Sequence, residues 1–455
     1  MFPRALDGAF LDLDTRDAPL HVGWTIRLEG RPPSLAGLRR HLAARLDRVP
    51  RLRQRLVATA LAGGERRWED DPAFDIARHV SACDLPAPGG PGELRAAAGV
   101  LLSAPLDPAR PLWHVYLVVG PGGWALVGQV HHVLVDGIAA VEMAALLLDA
   151  DPDAPPDPPS SWTPRRVSPL RAAGLAARAR LGAAAGAARA LTMPGPGAVA
   201  EAGGALRELL RPAPVTSLDA GGGPRRAVAY ADAGLGAVRE AGRGRGATVN
   251  DVLLAASAIA LGAALRRRGE AHEELKAIVP VSVRAEPSAL GNRLSFVVVS
   301  LPVDARDAPA ALDRIVVQTR RAKGSGATTS VAGLAEALEL LPPVGRSLAV
   351  RAALRLASFN VIVSNVPGPE LPLYLMGRRV SSIHPAVPVV ARHGLTIGAL
   401  SYAGRIGIGL YADAAAVPDV VEIGRDLESA MDALRVRVAP GAGATRSAPR
   451  RSGRS

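Results

Sequence analysis

Apolar and polar positions divide the first third of the chain into short strands and helices. Residues 22–28 alternate in the manner of a strand, and residues 35–46 have the spacing of a helix. Residues 112–119 and 124–130 are apolar runs separated by a Gly-Pro-Gly-Gly sequence. This arrangement predicts two strands joined by a tight turn. Residues 138–149 then have the spacing of a helix.

The second half of the chain is predicted to contain a long apolar helix and several strands. The helix begins after Thr248, and its apolar stretch at residues 252–265 is too short to span a bilayer. We therefore expect a buried helix. Strands are predicted at residues 277–283, 295–302, 360–363 and 405–412.

Two changes of composition separate these halves. Residues 151–169 are rich in proline and predict a boundary without regular structure. We therefore expect an α/β (α+β) fold with an N-terminal domain over residues 1–165 and a C-terminal domain over residues 225–438. Between them, residues 166–224 form a linker with a helical segment rich in alanine and arginine. Residues 439–455 have the low-complexity, arginine-rich composition of a disordered tail.

The net charge of +12 favours anionic partners, such as phospholipid head groups or the phosphates of coenzyme A. Nearly all of the positive charge is arginine, a bias typical of GC-rich coding sequences, so we discount part of it. No basic stripe carries interleaved aromatic residues, so we expect no nucleic acid partner. In residues 170–191 the leucines do not gather opposite the arginines, which favours a solvated helix over a membrane-surface helix.

The cysteine content and the N-terminal residues indicate the cellular compartment of the protein. Cys83 is the only cysteine, which excludes a disulfide within the chain and a thiolate metal cluster, and which fits a reducing compartment. Residues 1–14 include acidic side chains and no long apolar core, so we expect no signal peptide. These features predict a cytoplasmic protein with at most peripheral membrane contact.

The most informative chemistry lies in the sequence His131-His132-Val133-Leu134-Val135-Asp136-Gly137. Adjacent side chains of a strand point to opposite faces, so one of the two histidines can face a given cavity. Imidazole is suited to taking a proton from a hydroxyl near neutral pH. The alternatives are a pair of ordinary strand-end histidines with Asp136 as a helix cap, or a metal site. The metal site is disfavoured because neighbouring strand histidines diverge.

Other catalytic motifs are missing from the sequence. It contains no G-x-S-x-G nucleophile elbow and no Walker-type phosphate loop, which argues against a serine hydrolase of that type and a P-loop enzyme. The glycines at positions 242, 244 and 246 do not follow a clear strand and indicate a flexible turn.

The chain resembles the bacterial wax ester synthase/diacylglycerol acyltransferase family over nearly all of its length. The H-H-x-x-x-D-G element alone is shared with a wider group that includes peptide condensation domains, but the ordered set of matching segments is far more specific. These segments are LDGAFLDLDTRDAPLHVG at 6–23, WEDDPAFDIARHV at 68–80, PLDPARPLW at 105–113, HHVLVDG at 131–137, TVNDVLLA at 248–255, VPVSVR at 279–284, GNRLS at 291–295, SNVPGPELPLY at 364–374 and SYAGRIGIGLYAD at 401–413.

The resemblance implies a two-domain fold related to the coenzyme A-dependent, chloramphenicol acetyltransferase-like acyltransferases, with the active site in a channel between the domains. It implies that His132 is the general base. The expected reaction transfers a long-chain acyl group from acyl-CoA to diacylglycerol or a long-chain alcohol, with no covalent acyl-enzyme, no cofactor and no metal. The alternatives are another hydroxyl acceptor, such as a glycolipid or secondary metabolite, or an inactive lipid-inclusion protein.

The resemblance also suggests roles for further residues. Asp136 is expected to order its loop through an ion pair for which Arg284 is a candidate, although Arg284 could equally be a surface residue after a strand. Asn250 and Asp251 are expected near the active site, where either could orient substrate or stabilise an oxyanion. The alternative is that one of them only caps the following helix.

Two further segments complete the expected site. Pro111, Leu112 and Trp113 are expected to shape the channel wall, with plain core packing as the alternative. Asn365 is expected in a rigid turn, where it could bind substrate or only stabilise the fold. The family resemblance places the protein peripherally at the inner membrane or at lipid inclusions.

Overall fold

The computed structural model of the chain describes residues 13–15, 17–59, 65–134, 147–165, 210–282, 294–324, 348–352, 357–390 and 392–436, together with isolated residues between these ranges. Within them the chain forms two six-stranded sheets, a small hairpin and several helices. The fold is therefore a mixture of helix and sheet, as the sequence predicts.

The first sheet combines strands from both halves of the chain. Its strands are β1 (His21–Leu28), β4 (Val80–Asp84), β5 (Trp113–Gly120), β6 (Gly123–His131), β11 (Tyr374–Leu375) and β12 (Arg378–Ala386). They lie in the order β11-β12-β1-β6-β5-β4, and every neighbouring pair is antiparallel except β4 and β5. A separate antiparallel hairpin consists of β2 (Gln54–Thr59) and β3 (Glu65–Asp70).

The second sheet is built from the second half of the chain. Its strands are β7 (Arg226–Gly234), β8 (Leu275–Ser282), β9 (Leu294–Leu301), β10 (Val361–Val366), β13 (Leu395–Tyr402) and β14 (Arg405–Asp413). Their order is β7-β14-β13-β10-β8-β9, with β10 parallel to both β8 and β13. The other neighbours are antiparallel.

Helices pack against both sheets. They are α1 (Leu35–Arg45), α2 (Pro91–Ser103), α3 (Leu235–Arg243), α4 (Val249–Arg267), α5 (Ala308–Gly324) and α6 (Val420–Val436). Leu38 and Leu42 of α1 pack into the core of the first sheet, and α4, α5 and α6 pack on the second. Helix α2 contributes to a third apolar cluster that includes residues of both sheets, so it joins the two halves.

The start of α4 follows from local chemistry. The Thr248 hydroxyl accepts the Asp251 N–H (3.3 Å), and the Asp251 carboxylate accepts the Thr248 N–H (2.7 Å). This reciprocal capping begins the helix at the predicted position. By length and composition α4 could span a membrane, but 72% of the segment concerned is buried inside the protein. The prediction of a buried helix is confirmed.

The proline-rich segment is bound to the first half of the chain. Residues 151–165 have no regular secondary structure, as predicted. The buried guanidinium of Arg45 pairs with Asp157 (2.7 Å), and the guanidinium of Arg53 lies 4.9 Å from the centre of the Trp162 ring. Because two buried arginines of the first half use partners from this segment, it follows a fixed path here rather than that of a free linker.

Most of the locally predicted elements are confirmed, while the predicted domain bounds stay a prediction. The expected strands and helix that correspond to β1, α1, β5, β6, β8, β9, β10 and β14 are present. The helix predicted at residues 138–149 lies largely outside the described residues. The strands β11 and β12 lie within the predicted C-terminal domain of residues 225–438, but they belong to the first sheet. They extend it because β12 pairs with β1.

Glycines of β14 allow this crossing strand to lie directly against the second sheet. A Cβ added at Gly407 would lie 2.0 Å from the Ile383 carbonyl oxygen, and one at Gly409 would lie 1.9 Å from the Pro385 carbonyl oxygen. Both contacts are with the main chain of β12, which cannot move aside as a flexible side chain can. The two sheets therefore approach each other closely only because these positions lack side chains.

We predict that Gly409→Ala destabilises the fold by about 1–3 kcal/mol or more, because the added methyl group overlaps main-chain atoms of β12. Urea unfolding measures the change in the free energy of unfolding. Gly236→Ala in α3 is the matched control, since a Cβ there meets no atom within 4 Å and alanine favours a helix over glycine. Equal unfolding midpoints for the two variants would contradict the proposed close approach.

Candidate active site

The candidate site lies where β6 ends and a turn begins. His131 is the last residue of β6 and lies opposite His21 of β1 in the antiparallel register. The N–H of His131 donates to the Leu112 carbonyl (2.9 Å), and the N–H of His132 donates to the Leu20 carbonyl (2.9 Å). Main-chain hydrogen bonds to the residues directly before β5 and β1 therefore hold the two adjacent histidines in place.

The two histidines differ in burial because of the turn. His131 is 1% exposed, whereas His132 is half-buried and lies beyond the strand. The Leu134 N–H donates to the His131 carbonyl (2.9 Å) and closes the turn. The prediction from strand alternation assumed that both histidines belong to the strand, and this assumption is wrong for His132. The turn, rather than the strand pleat, gives the two side chains their different surroundings.

The His131 side chain belongs to a buried polar cluster. Its Nδ1 accepts a hydrogen bond from the Val133 N–H (3.0 Å), and its Nε2 lies 3.5 Å from Oδ2 of Asp14. The ring of His21 meets it edge-on, with 5.6 Å between ring centres. The other carboxylate oxygen of Asp14 accepts the Leu20 N–H (2.8 Å). These contacts join the segment before β1 to the turn after β6.

The electrostatics of the cluster favour an ionised Asp14 and an uncharged His21. Burial, followed by the electrostatic effect of His131, lowers the pKa of His21 to about 4. Burial raises the pKa of Asp14, but its interaction with His131 and the hydrogen bond from Leu20 outweigh burial and hold that pKa below its ordinary value. At neutral pH Asp14 is therefore ionised and His21 is uncharged.

The hydrogen bonding at this cluster argues against a metal ion. Asp136, which belongs to the metal set considered from the sequence, lies outside the described residues. The structure instead brings ligand atoms of Asp14, His21 and His131 within 4.8 Å of one another. Because Nδ1 of His131 accepts the Val133 N–H, the proton of the neutral ring is on Nε2, which faces Asp14. A ring nitrogen that carries a proton is not available as a metal ligand.

The Pro111-Leu112-Trp113 segment combines core packing with support for His131. All three residues are buried, and the Trp113 indole N–H donates to the Leu52 carbonyl (2.7 Å). Leu112 supplies the carbonyl that accepts the His131 N–H. Pro111 and Trp113 also line a cavity of about 420 Å³. The segment thus belongs to the core, while its role in a substrate channel stays a prediction.

Asn250 and Asp251 lie in the first turn of α4. One oxygen of the Asp251 carboxylate accepts both the N–H and the hydroxyl of Thr248 (2.7 and 2.8 Å), which is the capping role considered as the alternative. Its second oxygen is buried and has no hydrogen-bond partner in the part of the chain that the structure describes. Asn250 is half-buried. The capping role of Asp251 is observed, and a role of either residue toward substrate stays a prediction.

Of the remaining predicted residues, the structure describes only Asn365. Asn365 lies within β10, opposite Ala399 of β13, and not in the expected turn. The turn starts after Val366, because parallel pairing with β13 extends the strand to that residue. Asp136, Gly137 and Arg284 lie outside the described residues. The predicted ion pair of Asp136 with Arg284 therefore stays a prediction.

Asp14 and His21 were not identified as site residues from the sequence. Both occur in the segment LDTRDAPLHVG, which contributes to the family resemblance, but nothing in its spacing connects it with His131. The register of β1 against β6 is what places His21 opposite His131. A prediction that these two strands are neighbours would have found His21, since both strand ends contain histidine.

We predict that stability decreases as the pH falls from about 6.5 to about 4, and that His21→Gln reduces this loss. The folded-state pKa of His21 is about 4, below the ordinary 6.5, so the unfolded chain binds more protons across this range. One such histidine contributes at most about 1.4 kcal/mol per pH unit. Burial also lowers the pKa of His114 to about 4. The His21→Gln variant therefore still loses some stability as the pH falls. Urea unfolding between about pH 7 and about pH 5 measures the slopes, and equal slopes would contradict the prediction.

Comparison with known proteins relates this site to a family. Residues 4–253 match the wax ester synthase/diacylglycerol acyltransferase catalytic domain, and residues 290–435 match the C-terminal domain of the same family. The probable diacylglycerol O-acyltransferase tgs1 of Mycobacterium tuberculosis is 32% identical over 445 residues, which cover 94% of each chain. The family matches therefore include both sheets.

Solved structures have the same fold. The wax ester synthase/diacylglycerol acyltransferase from Marinobacter aquaeolei VT8 matches with a TM-score of 0.71 and 27% identity, covering 96% of this chain and 100% of that one. A starter condensation domain of rhizomide synthetase in complex with C8-CoA, at 17% identity, matches in fold with a TM-score of 0.58, covering 97% of this chain and 95% of that one. The fold is that of the coenzyme A-dependent acyltransferases, and the chain belongs to the wax ester synthase/diacylglycerol acyltransferase family of enzymes.

Proposed function

We propose that this protein transfers a long-chain fatty acyl group from acyl-CoA to the hydroxyl of diacylglycerol or of a long-chain alcohol, with His132 as the general base. The observation that carries the proposal is the position of His132. It is the second histidine of the family's H-H-x-x-x-D-G sequence, it is half-buried, and its main chain is hydrogen-bonded to Leu20. A half-buried imidazole on a fixed main chain can meet a substrate while it is partly shielded from water.

The proposed reaction needs no covalent acyl-enzyme. The neutral imidazole of His132 takes the proton from the acceptor hydroxyl while the oxygen attacks the thioester carbonyl carbon. A C–O bond forms and the C–S bond breaks, and the imidazolium then gives its proton to the departing thiolate of coenzyme A. Imidazole suits both steps because its ordinary pKa lies near neutrality. Holding the two substrates together contributes through orientation.

The substrates are proposed from chemistry and from the relatives. The tgs1 relative is named as a diacylglycerol O-acyltransferase, and the Marinobacter enzyme as a wax ester synthase as well. The condensation domain of the same fold was solved in complex with C8-CoA. These names support acyl-CoA as the donor and a diacylglycerol or fatty alcohol as the acceptor. We propose that neither a metal nor a cofactor takes part.

We predict that the purified protein releases free thiol from oleoyl-CoA when dioleoylglycerol or hexadecanol is present, and that His132→Ala lowers kcat at least about 100-fold. The loss follows from removal of the proton acceptor. Thiol release is followed with a chromogenic disulfide, and the ester product is identified by mass spectrometry. A chelator is expected to leave the rate unchanged.

His272→Ala is the matched control for this substitution. His272 is partly exposed, lies in the second half of the chain and contacts Glu270 at 3.5 Å. Its loss should leave kcat within about twofold of the wild-type value, since it belongs to no part of the proposed site. Absence of turnover with both acceptors would refute the proposed function. Near-normal turnover by the folded His132→Ala variant would refute the assignment of the base.

We also propose that the protein associates peripherally with a phospholipid membrane or a lipid inclusion. Leu170, Leu175 and Leu181 are in helical conformation and are 81%, 43% and 71% exposed. Arg171 and Arg178 lie in the same segment of the sequence. Exposed apolar side chains beside cations support the membrane-surface alternative for this segment.

We predict that the double substitution Leu170→Ser and Leu181→Ser weakens binding to vesicles of anionic phosphatidylglycerol by at least about tenfold, because two apolar side chains no longer enter the lipid. Co-sedimentation with the vesicles measures the affinity. Leu210→Ser is the control, since Leu210 is 41% exposed but lies outside this segment. Equal binding by wild type and double variant would contradict this surface.

A further inference from the structure

Four successive main-chain N–H groups determine the turn that carries His132. The N–H groups of His131 and His132 donate to carbonyls of the segments before β5 and β1, and that of Leu134 donates to the His131 carbonyl. The fourth, from Val133, donates to Nδ1 of the His131 side chain (3.0 Å). Of these four bonds, the one directly after His132 is the one that depends on a side chain. The turn can therefore be altered through His131 without altering any carbonyl partner.

The bond from Val133 requires one tautomer of His131. A neutral imidazole has one nitrogen that carries hydrogen and one that accepts. Nδ1 accepts the Val133 N–H, so the hydrogen is on Nε2. If the hydrogen moved to Nδ1, two N–H groups would point at each other and the bond would be lost. Val133 is buried, so its N–H would then have no water to replace the missing acceptor.

Asp14 is placed to select this tautomer. Its Oδ2 lies 3.5 Å from Nε2 of His131, which can donate to it only when Nε2 carries the hydrogen. Its Oδ1 accepts the Leu20 N–H (2.8 Å), and the Leu20 carbonyl accepts the His132 N–H (2.9 Å). A single carboxylate thus contacts two groups that hold the main chain around His132: Leu20, whose carbonyl accepts the His132 N–H, and His131, whose Nδ1 accepts the Val133 N–H. A negative charge also favours a donor over an acceptor on the nitrogen that faces it.

We propose that Asp14 is a positioning residue for the general base: by holding His131 in its Nε2–H tautomer, it maintains the Val133 hydrogen bond and so the orientation of His132. The proposal rests on the proposed role of His132. Asp14 and His131 do not touch the substrates in this scheme. Their loss therefore lowers the rate of the chemical step and leaves the binding of acyl-CoA intact.

The variant Asp14→Asn tests the role of the charge. Asparagine keeps the volume and an oxygen for the Leu20 N–H, but its amide N–H₂ can face Nε2 of His131 and favour the other tautomer. We expect kcat with oleoyl-CoA and dioleoylglycerol to fall about 10- to 100-fold, as a small misplacement of the base does, while KM for oleoyl-CoA stays within about twofold. Asp14→Glu should restore part of kcat. Asp17→Asn is the control, since Asp17 is exposed in the same segment.

A double-mutant cycle tests whether Asp14 acts through His131. In His131→Asn, the amide oxygen can accept the Val133 N–H without any tautomer to select. Asp14→Asn should then lower kcat by less than about twofold in this background. An equal loss in both backgrounds would refute the relay through His131. Wild-type kcat in Asp14→Asn would refute the proposal as a whole.

A spectroscopic measurement keeps this proposal separate from the proposed function. Nitrogen-15 NMR of histidine-labelled protein distinguishes the two tautomers, and the His131 signals are identified by their absence from His131→Asn. We expect Nε2–H in the wild type and a shift toward Nδ1–H in Asp14→Asn. Nδ1–H in the wild type would refute the proposal, even if acyl transfer is observed. If the wild type has no turnover with either acceptor, the proposed function fails while the tautomer result still decides what Asp14 does to His131.

Discussion

The antiparallel pairing of β1 with both β6 and β12 is the interaction on which the rest of the structure depends. On one side, β1 places Leu20 and His21 against the end of β6, where His131 and the turn begin. On the other side, it accepts β12, a strand from the second half of the chain. One strand therefore aligns the candidate site and also connects the two sheets. Glycines of β14 then let β12 lie directly on the second sheet.

Buried polar groups give the site its rigidity. Placing imidazole rings and a carboxylate in a region with little water is costly unless each polar atom finds a partner. Hydrogen bonds from the main chain to Asp14 and to Nδ1 of His131 satisfy part of this cluster, while Nε2 of His131 faces the partly exposed Asp14 carboxylate at 3.5 Å and forms no hydrogen bond within the described residues. The same low-water surroundings keep His21 uncharged at neutral pH. The main chain of His132, the proposed general base, is hydrogen-bonded to Leu20 in this turn.

The two adjacent histidines have different surroundings because the strand ends between them. His131 is almost completely buried and serves as a hydrogen-bond acceptor for the main chain, whereas His132, the proposed general base, is half-buried. The Pro-Leu-Trp segment contributes to the same end, since the Leu112 carbonyl holds His131 while Trp113 anchors the segment in the core. Residues that the family resemblance associates with substrate thus also have a structural role. Asp251 is a further example, because it caps α4.

The sequence by itself determined the local elements and the family, with His132 as the proposed general base. Alternation and apolar spacing predicted β1, β5, β6 and the buried helix α4, since these patterns depend on which faces neighbouring side chains present. The ordered segments identified the family and, through it, His132. The tertiary structure decided that β12 belongs to the first sheet, that Asn365 lies in a strand, and that Asp14 and His21 meet His131. These features depend on strand partners and register between segments far apart in the chain, and local residue spacing contains no information about which distant strand edge will be the partner.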